Sequence, residues 1–192
     1  KYIGNGAFAY CEKLSDVKLP AAVEFMGSGV FGGCAVKVAA PKKTGVVGFD
    51  IADNVLIKYK GKAQDVVIPD GVTKIAAKAF FNKKYVERIT LPASLSSIAN
   101  KAIERCENLK SIRVASGNTA YRSVGNCLID IKKKTVVYGF KDSEIPADGS
   151  VATIAANAFA GAELESLVVP AGVKTIASCA FKSCNKLKSI TL

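Results

Sequence analysis

The sequence contains no histidine and no tryptophan, and only one methionine. Without histidine, a Ser-His-Asp triad, a Cys-His pair and any zinc site with imidazole ligands are excluded. Neither a Gly-x-x-x-x-Gly-Lys-Ser/Thr phosphate loop nor a Gly-x-Gly-x-x-Gly fingerprint after a strand is present. The paired carboxylates Glu104/Glu107 and Glu163/Glu165 are expected on exposed corners, where solvation explains them better than acid–base chemistry. We therefore predict no enzymatic activity, no cofactor and no metal site.

Long apolar runs are also missing, since none approaches the roughly 18 residues that a membrane-spanning helix needs. No signal peptide is visible, but the chain begins at Lys1 rather than at methionine. We therefore expect a processed or excised piece of a longer protein. Hydrophobic residues make up 49% of the chain and charged residues 22%, which is typical of a folded protein.

Acidic residues are in deficit, with 16 Asp and Glu against 27 Lys and Arg, giving a net charge of +11. The excess is spread evenly along the chain, which argues against a basic tail and for a mildly basic surface. Such a surface attracts polyanions at low salt. A lysine-rich face that is merely solvated is the simpler explanation.

The strongest positive signal is internal repetition. Residues 72–80 read Val-Thr-Lys-Ile-Ala-Ala-Lys-Ala-Phe, and residues 151–159 read Val-Ala-Thr-Ile-Ala-Ala-Asn-Ala-Phe. A large apolar landmark recurs six times at spacings of 23, 49, 23, 56 and 22 residues. The shared period lies in the range of about 20–29 residues expected of leucine-rich repeats. These landmarks, expected to form an internal ladder, are Phe8, Phe31, Phe80, Ile103, Phe159 and Phe181.

Each unit contains a short apolar stretch such as Leu14-x-x-Val17-x-Leu19, in which alternate side chains face one side of a strand. This pattern predicts a β-rich (α/β repeat) solenoid, a right-handed coil of about six units with short parallel strands and helical or turn corners. The units lie near 2–22, 23–41, 72–94, 95–115, 151–172 and 173–192. We expect a single domain over 1–192, and end-to-end self-association through its exposed end coils.

Two insertions, near 45–71 and 116–150, resemble each other and are expected to carry β-hairpins. Residues 54–60 and 126–132 read as the first strand of each hairpin, followed by polar turns near Lys60-Gly61 and Lys132–Lys134. Residues 66–72 and 144–151 would then return the chain to the coil.

Four of the six cysteines, Cys11, Cys34, Cys106 and Cys184, lie three residues after a landmark. This register favours a small, weakly apolar plug in the wall of the coil. A disulfide between Cys11 and Cys34 is the less favoured alternative, because those residues would lie in adjacent coils. Short Cys-x-x-Cys pairs are missing, which argues against a zinc site.

The residues between the inward-facing positions should line an outward-facing ribbon of parallel strands, which is where repeat proteins commonly bind. The protruding hairpins would add tyrosines as contact anchors, unless these rings only cover their own hairpins. The predicted binding residues are Lys18, Lys37, Arg88, Thr90, Arg113, Tyr59, Tyr121 and Tyr138.

The unit Ala-Phe-x-x-Cys-x-x-Leu-x-x-Val-x-Leu-Pro at residues 7–20, repeated with Ile for Val at 180–192, resembles the BspA-type leucine-rich repeat. The resemblance implies a secreted or surface-anchored protein of anaerobic bacteria, spirochaetes or parasitic protists. It also implies adhesion, host-protein binding or coaggregation, and it supplies no catalytic motif and no fixed ligand-contact residues.

The leading hypothesis is a non-catalytic, extracellular or cell-surface module that binds host or neighbouring-cell proteins. A structural spacer that presents another domain is one alternative. A basic surface for acidic glycans is another, whereas specific nucleic-acid binding is not expected, because basic and aromatic stripes are not interleaved.

Overall fold

The computed structural model describes residues 2–3, 7–15, 17, 25–26, 30–35 and 48–192. Within these ranges the chain forms short β-strands joined by tight turns, and no helix is present there. The strands are β1 (Tyr2–Ile3), β2 (Phe25–Met26), β3 (Phe49–Ala52), β4 (Val55–Tyr59), β5 (Asp65–Val67), β6 (Lys74–Ile75), β7 (Arg88–Leu91), β8 (Ser97–Ile98), β9 (Ser111–Val114), β10 (Tyr121–Val124), β11 (Cys127–Asp130), β12 (Thr135–Gly139), β13 (Thr153–Ile154), β14 (Ser166–Val168), β15 (Thr175–Ile176) and β16 (Ser189–Thr191).

Equivalent strands of successive units pair in parallel, so the chain is a β-solenoid. One row of strands runs β3-β4-β6-β8, and it recurs farther along the chain as β10-β11-β12-β13-β15. A second row runs β5-β7-β9 and recurs as β14-β16. Strands β1 and β2 form a separate parallel pair. Within residues 48–192, five coils therefore contribute a strand to each row. The coil of β12 adds none to the second row, and β3, β10 and β11 are extra strands of the insertions in the first row.

Alternation along the strands places apolar side chains inside the coil. Ile89 and Leu91 of β7 are buried, and so are Leu167 and Val169 on the equivalent leg. Ile176 on β15 and Ile190 on β16 are 42% and 41% exposed, because both strands lie at the edge of their sheets. The predicted inward face is thus confirmed, except at these two edge strands.

The corners between the two strand legs are turns, so the prediction of helical corners is wrong. Lys78 and Asn82, which flank Phe80, have φ values of 60° and 57°, in the left-handed region that no α-helix tolerates. Alternate N–H groups of the corner donate to the next coil, and those between them donate to residue i−3, so none follows the i−4 pattern of an α-helix. Phe80 N–H donates to Ala102 O at 2.9 Å, and Asn82 N–H donates to Glu104 O at 3.1 Å.

The landmark ladder is present in part. Phe80 and Phe159 are almost fully buried, and Phe31, Ile103 and Phe181 are partly buried. Phe8 departs from the prediction, because its ring is 42% exposed although it stacks on Phe31 at 5.3 Å between centroids.

Two further positions of the ladder lie in the insertions, and the sequence pattern did not identify them. Tyr59 N–H donates to Ala79 O and Gly139 N–H donates to Ala158 O, each at 2.8 Å. Phe80 N–H makes the same bond to the coil that follows it, so Tyr59 and Gly139 occupy landmark positions in their own coils. The insertions are therefore coils of the solenoid that carry extra strands.

The first hairpin differs from its predicted register, whereas the second predicted hairpin, β11 and β12 around the turn at residues 131–134, is confirmed. The first hairpin turns at Asp53-Asn54 and not at Lys60-Gly61, so residues 55–59 form its second strand. The second insertion is a three-stranded meander of β10, β11 and β12, with a turn at Gly125-Asn126 that was not predicted. Both residues of each two-residue turn have positive φ, as type I′ hairpin turns require.

Structural equivalence pairs β4 with β12, because each joins the next coil in parallel. The sequence similarity between residues 54–60 and 126–132 aligns β4 with β11 instead. Residues 54–60 were therefore predicted as the first strand of their hairpin, although β4 is its second strand. Residues 66–67, in contrast, do return to the coil as predicted, within β5.

Candidate functional site

The candidate site is the outward face of the three-stranded row β5-β7-β9, called here the outer sheet. In register, Val66, Ile89 and Ile112 point inward and are buried. The alternate residues point outward in two lines across the strands, about 4.8 Å apart from strand to strand. These outward residues are Asp65, Arg88 and Ser111 in one line, and Val67, Thr90 and Arg113 in the other.

Thr90 and Arg113 lie side by side on this face, as the sequence predicts. Arg113 is exposed and Thr90 is half-buried between its two neighbours. Val67, on the edge strand β5, completes the line and is 65% exposed. The pairing of β14 with β16 repeats this arrangement, with Val168 beside Thr191 and again 65% exposed.

Arg88 belongs to the outer sheet but is not a free cation. Its Nε and Nη2 atoms both donate to the carboxylate of Asp65 on the preceding strand, the second at 2.9 Å. This contact lowers the pKa of Asp65, mainly through the hydrogen bond from Arg88, so the carboxylate stays charged. The expected line of small and basic residues is therefore partly neutralised here. Asp65 was missed, although it lies one repeat period before Arg88.

Carboxylates from neighbouring coils neutralise several further cations. Lys110 Nζ lies 2.8 Å from Glu87, and Lys188 Nζ lies 2.9 Å from Glu165. Similar pairs join Lys84 to Glu107 and Lys186 to Glu163. All these groups are at least partly exposed, so each pair adds little stability. Their main consequence is that the segments just before β7 and β9, and those just before β14 and β16, carry mixed charge.

The predicted tyrosine anchors do not project from the surface. Tyr59 is 2% exposed and packs between Phe49 and Phe80, with ring centroids 4.9 and 5.3 Å away. Tyr121 is 6% exposed, and its hydroxyl accepts a hydrogen bond from Ile98 N–H at 3.1 Å. These rings complete the core beneath the hairpins, which was the alternative to a contact role.

Tyr138 also packs against the core. Burial raises its pKa to about 12. Lys18 and Lys37, the remaining predicted binding residues, lie outside the described residues.

All six cysteines are free thiols. Three of those in the landmark register hold neighbouring coils together. Cys106 Sγ donates to Phe80 O at 3.0 Å, Cys184 Sγ to Phe159 O at 3.0 Å, and Cys34 Sγ to Phe8 O at 2.9 Å. Burial raises the pKa of Cys106 from 9.0 to about 11, so this thiol keeps its proton at neutral pH. The wall position predicted from the register thus has a specific hydrogen-bonding role.

Within the described part of the chain, no three Cys, Asp or Glu side chains come together in a way that could hold a metal ion. The same residues include no helix long and apolar enough to traverse a bilayer.

Comparison with known families gives one match that covers nearly the whole sequence. The family described as BspA type leucine rich repeat region matches in six copies, over residues 1–47, 50–128 and 138–192. No curated protein matches the sequence significantly.

Solved structures with similar folds include a pneumococcal antigen and two bacterial proteins that are described as leucine-rich. The pneumococcal vaccine antigen PcpA is 17% identical, with a TM-score of 0.54, over 100% of this chain and 48% of its own. A leucine-rich repeat protein from Eubacterium ventriosum is 22% identical, with a TM-score of 0.45, over 99% and 50% of the two chains. A leucine rich cell surface protein from Faecalibacterium prausnitzii is also 22% identical, with a TM-score of 0.45, over 100% and 51%. This chain spans about half the length of these neighbours.

Proposed function

Because this chain belongs to the BspA-type leucine-rich repeat family, we propose that it is a non-catalytic, cell-surface binding module. Its partners would be proteins of a host or a neighbouring cell, which the outer sheet would recognise by shape and charge. A cell-surface location is supported by the similar fold of proteins that are described as a vaccine antigen and a cell surface protein.

The observation that carries this proposal is the composition of the outer sheet. Its outward residues combine an exposed valine, a threonine and an unpaired arginine in one line, Val67, Thr90 and Arg113. No ion pair fixes Arg113 within the described residues, so its five N–H donors are available to a partner. The strands hold these side chains at fixed spacing, so binding costs little ordering of the backbone.

The experiment begins with wild-type protein, tested against an array of purified extracellular-matrix and serum proteins. Any ligand found is then titrated against the double variant Val67→Glu/Arg113→Glu, which changes the net charge by −3. The matched control is Lys74→Glu/Ser97→Glu, which makes the same change in net charge on the outward side of the other row of strands. Melting curves establish that all three proteins are folded.

We expect the outer-sheet variant to lose at least about tenfold in affinity, since two central contacts become repulsive, and the control to lose less than about threefold. Equal losses of affinity in both variants would show that the net charge of the protein, and not the outer sheet, determines binding. Flat binding curves across the whole array, with folded protein, would contradict the proposal.

A further inference from the structure

At one corner of the solenoid, two cationic side chains contact an aromatic ring instead of pairing with carboxylates. The Nζ atom of Lys78 and the Cζ atom of Arg105 each lie 5.6 Å from the centroid of the Phe81 ring. Phe81 itself is 39% exposed, so the ring and its two cations form part of the surface. Neither cation pairs with a carboxylate of any described residue.

A third cation, Lys101, stands directly beside Lys78 in the next coil. The N–H of Lys78 donates to the carbonyl of Lys101 at 3.1 Å, and both residues have φ of 60°. Because their backbones have the same conformation, their exposed side chains leave the corner side by side. We call the four residues Lys78, Phe81, Lys101 and Arg105 the corner patch.

The arrangement of charge around the corner patch differs from that on the rest of the described surface. Elsewhere, a carboxylate one coil away offsets many cations, as Asp65 offsets Arg88. On the two turns that form the corner patch, residues 76–83 and 99–106, the one acidic residue is Glu104, which forms no ion pair within the described chain. The local charge is therefore clearly positive, even with Glu104 included.

We propose that the corner patch is a binding site for a sulfated polysaccharide, separate from the outer sheet and independent of the function proposed for it. Cation–π contacts hold Lys78 and Arg105 in place without cancelling their charge. An anionic chain laid along the solenoid axis would then meet Lys78 and Lys101 in succession, with Arg105 beside them.

An acidic peptide fits this corner less well. Peptides that bind by backbone pairing need a free strand edge. The corner offers none, because Lys78, Phe80 and Asn82 each donate their N–H group to the next coil. Alternate side chains of an extended peptide are also about 6.6 Å apart, which exceeds the coil spacing of about 4.8 Å. Sulfate groups on a polysaccharide need neither a strand edge nor this register.

The test measures the affinity for heparin as a function of salt. The patch variant Lys78→Gln/Lys101→Gln/Arg105→Gln is compared with the control variant Lys132→Gln/Lys134→Gln/Lys174→Gln. The control removes three exposed lysines that also have no ion pair among the described residues, so both variants lose the same net charge. Circular dichroism establishes folding, and the single variant Lys101→Gln replaces the triple variant if that protein unfolds.

The patch variant should weaken binding at least about tenfold and lower the slope of log Kd against log salt by about 2 to 3, whereas the control should change Kd less than about threefold. Equal losses in the two variants would overturn the site, because net charge alone would then explain retention. Heparin stripped of its sulfate groups should bind at least about tenfold more weakly. Equal binding of stripped heparin, or of polyglutamate, would overturn the assignment to a sulfated polysaccharide.

Two further variants test the roles of single residues. Glu104→Gln removes the one carboxylate at the corner, so it should tighten heparin binding about two- to fivefold. Phe81→Leu keeps every charge but removes the ring that positions Lys78 and Arg105, so it should weaken binding about two- to fivefold. If Glu104→Gln leaves Kd unchanged, heparin is not contacting this corner and the proposal fails.

Discussion

Two pairs of neighbouring coils, residues 72–115 and 151–192, have the same backbone conformation but different surface side chains. Both pairs have the same parallel strands, and in both the residue two positions before the landmark has φ near 60°. In the first pair these residues are Lys78 and Lys101, whereas in the second they are Asn157 and Cys179. The inward positions therefore determine the coil, and the corner side chains are left free to vary.

The interiors of the two pairs differ in where their aromatic contact lies. Phe80 packs on Tyr59 of the coil before it, at 5.3 Å between centroids, and is followed by Ile103. Phe159 stacks on Phe181 of the coil after it, at 5.1 Å, and is preceded by Gly139. Each pair of coils thus contains one buried landmark phenylalanine with one aromatic neighbour, on opposite sides.

The largest expected effect comes from removing either buried landmark ring. Phe80→Ala and Phe159→Ala should each lower the free energy of unfolding by about 3–5 kcal/mol, because each leaves a cavity in a fully packed coil. Urea denaturation followed by circular dichroism measures both. Phe8→Ala, at the exposed end of the ladder, should cost much less. A loss below about 1 kcal/mol for either buried ring would contradict the shared ladder.

The next effect distinguishes the two interiors. A Cβ atom at Gly139 would lie 1.9 Å from Cε1 of Phe159, so the ring occupies the space that a side chain at residue 139 would need. Gly139→Ala should therefore cost about 1–3 kcal/mol in the free energy of unfolding. Gly172→Ala is the control, because its nearest neighbour would be 3.6 Å away.

Gly139→Ala should lower the free energy of unfolding less in the Phe159→Leu background than in the wild type, since the smaller leucine leaves room for the added methyl group. Urea denaturation of the double variant measures this coupling. Strict additivity would show that the two residues do not compete for the same space.

The sequence was sufficient for the inward face of the coil, because burial acts on single side chains at a fixed period. It predicted Phe80, Phe159 and the strand residues Ile89 and Leu167 correctly. It failed at the corners, since nothing in a pattern such as Ala79-Phe80 specifies that the N–H groups bond to the next coil.

The candidate site was predicted less completely. Thr90 and Arg113 lie on the outward face as expected, but Tyr59 and Tyr121 do not, because each insertion supplies a coil of its own and buries them. The neutralisation of Arg88 could have been found from Asp65, which lies 23 residues earlier. The cationic corner gave no such signal, because it depends on residues of two coils that meet only in the fold.

A smaller effect concerns the cysteine contacts that both pairs of coils share. Cys106→Ala and Cys184→Ala should each cost about 1–2 kcal/mol, because each leaves a landmark carbonyl without its thiol donor. Cys106→Ser and Cys184→Ser keep a donor and should cost less. Urea denaturation at pH 7 compares the four variants. If serine and alanine behave alike, the contact is packing and not hydrogen bonding.

The thiol of Cys106 also makes a prediction about pH. Its pKa is raised by burial from 9.0 to about 11, so the fold favours the protonated form. The stability from this group is fully present below about pH 9 and is lost as the pH rises towards 11. The melting temperature of wild-type protein should therefore fall over this range. Cys106→Ser should show a shallower fall, and an identical profile would contradict the assignment.

The smallest expected effect exchanges one corner residue between the two coils of the second pair. Gly161 and Ser183 lie two positions after their landmarks and have φ of 75° and 59°, a region that costs serine more than glycine. Ser183→Gly should raise the free energy of unfolding by about 0.5–1 kcal/mol, and Gly161→Ser should lower it by a similar amount. The double exchange should therefore leave stability nearly unchanged. Because a Cβ at Gly161 would meet no atom within 4 Å, any larger loss would have to come from the backbone conformation. Thermal melts of the three variants measure these differences, and a stabilising Gly161→Ser would show that the corners of neighbouring coils are not equivalent.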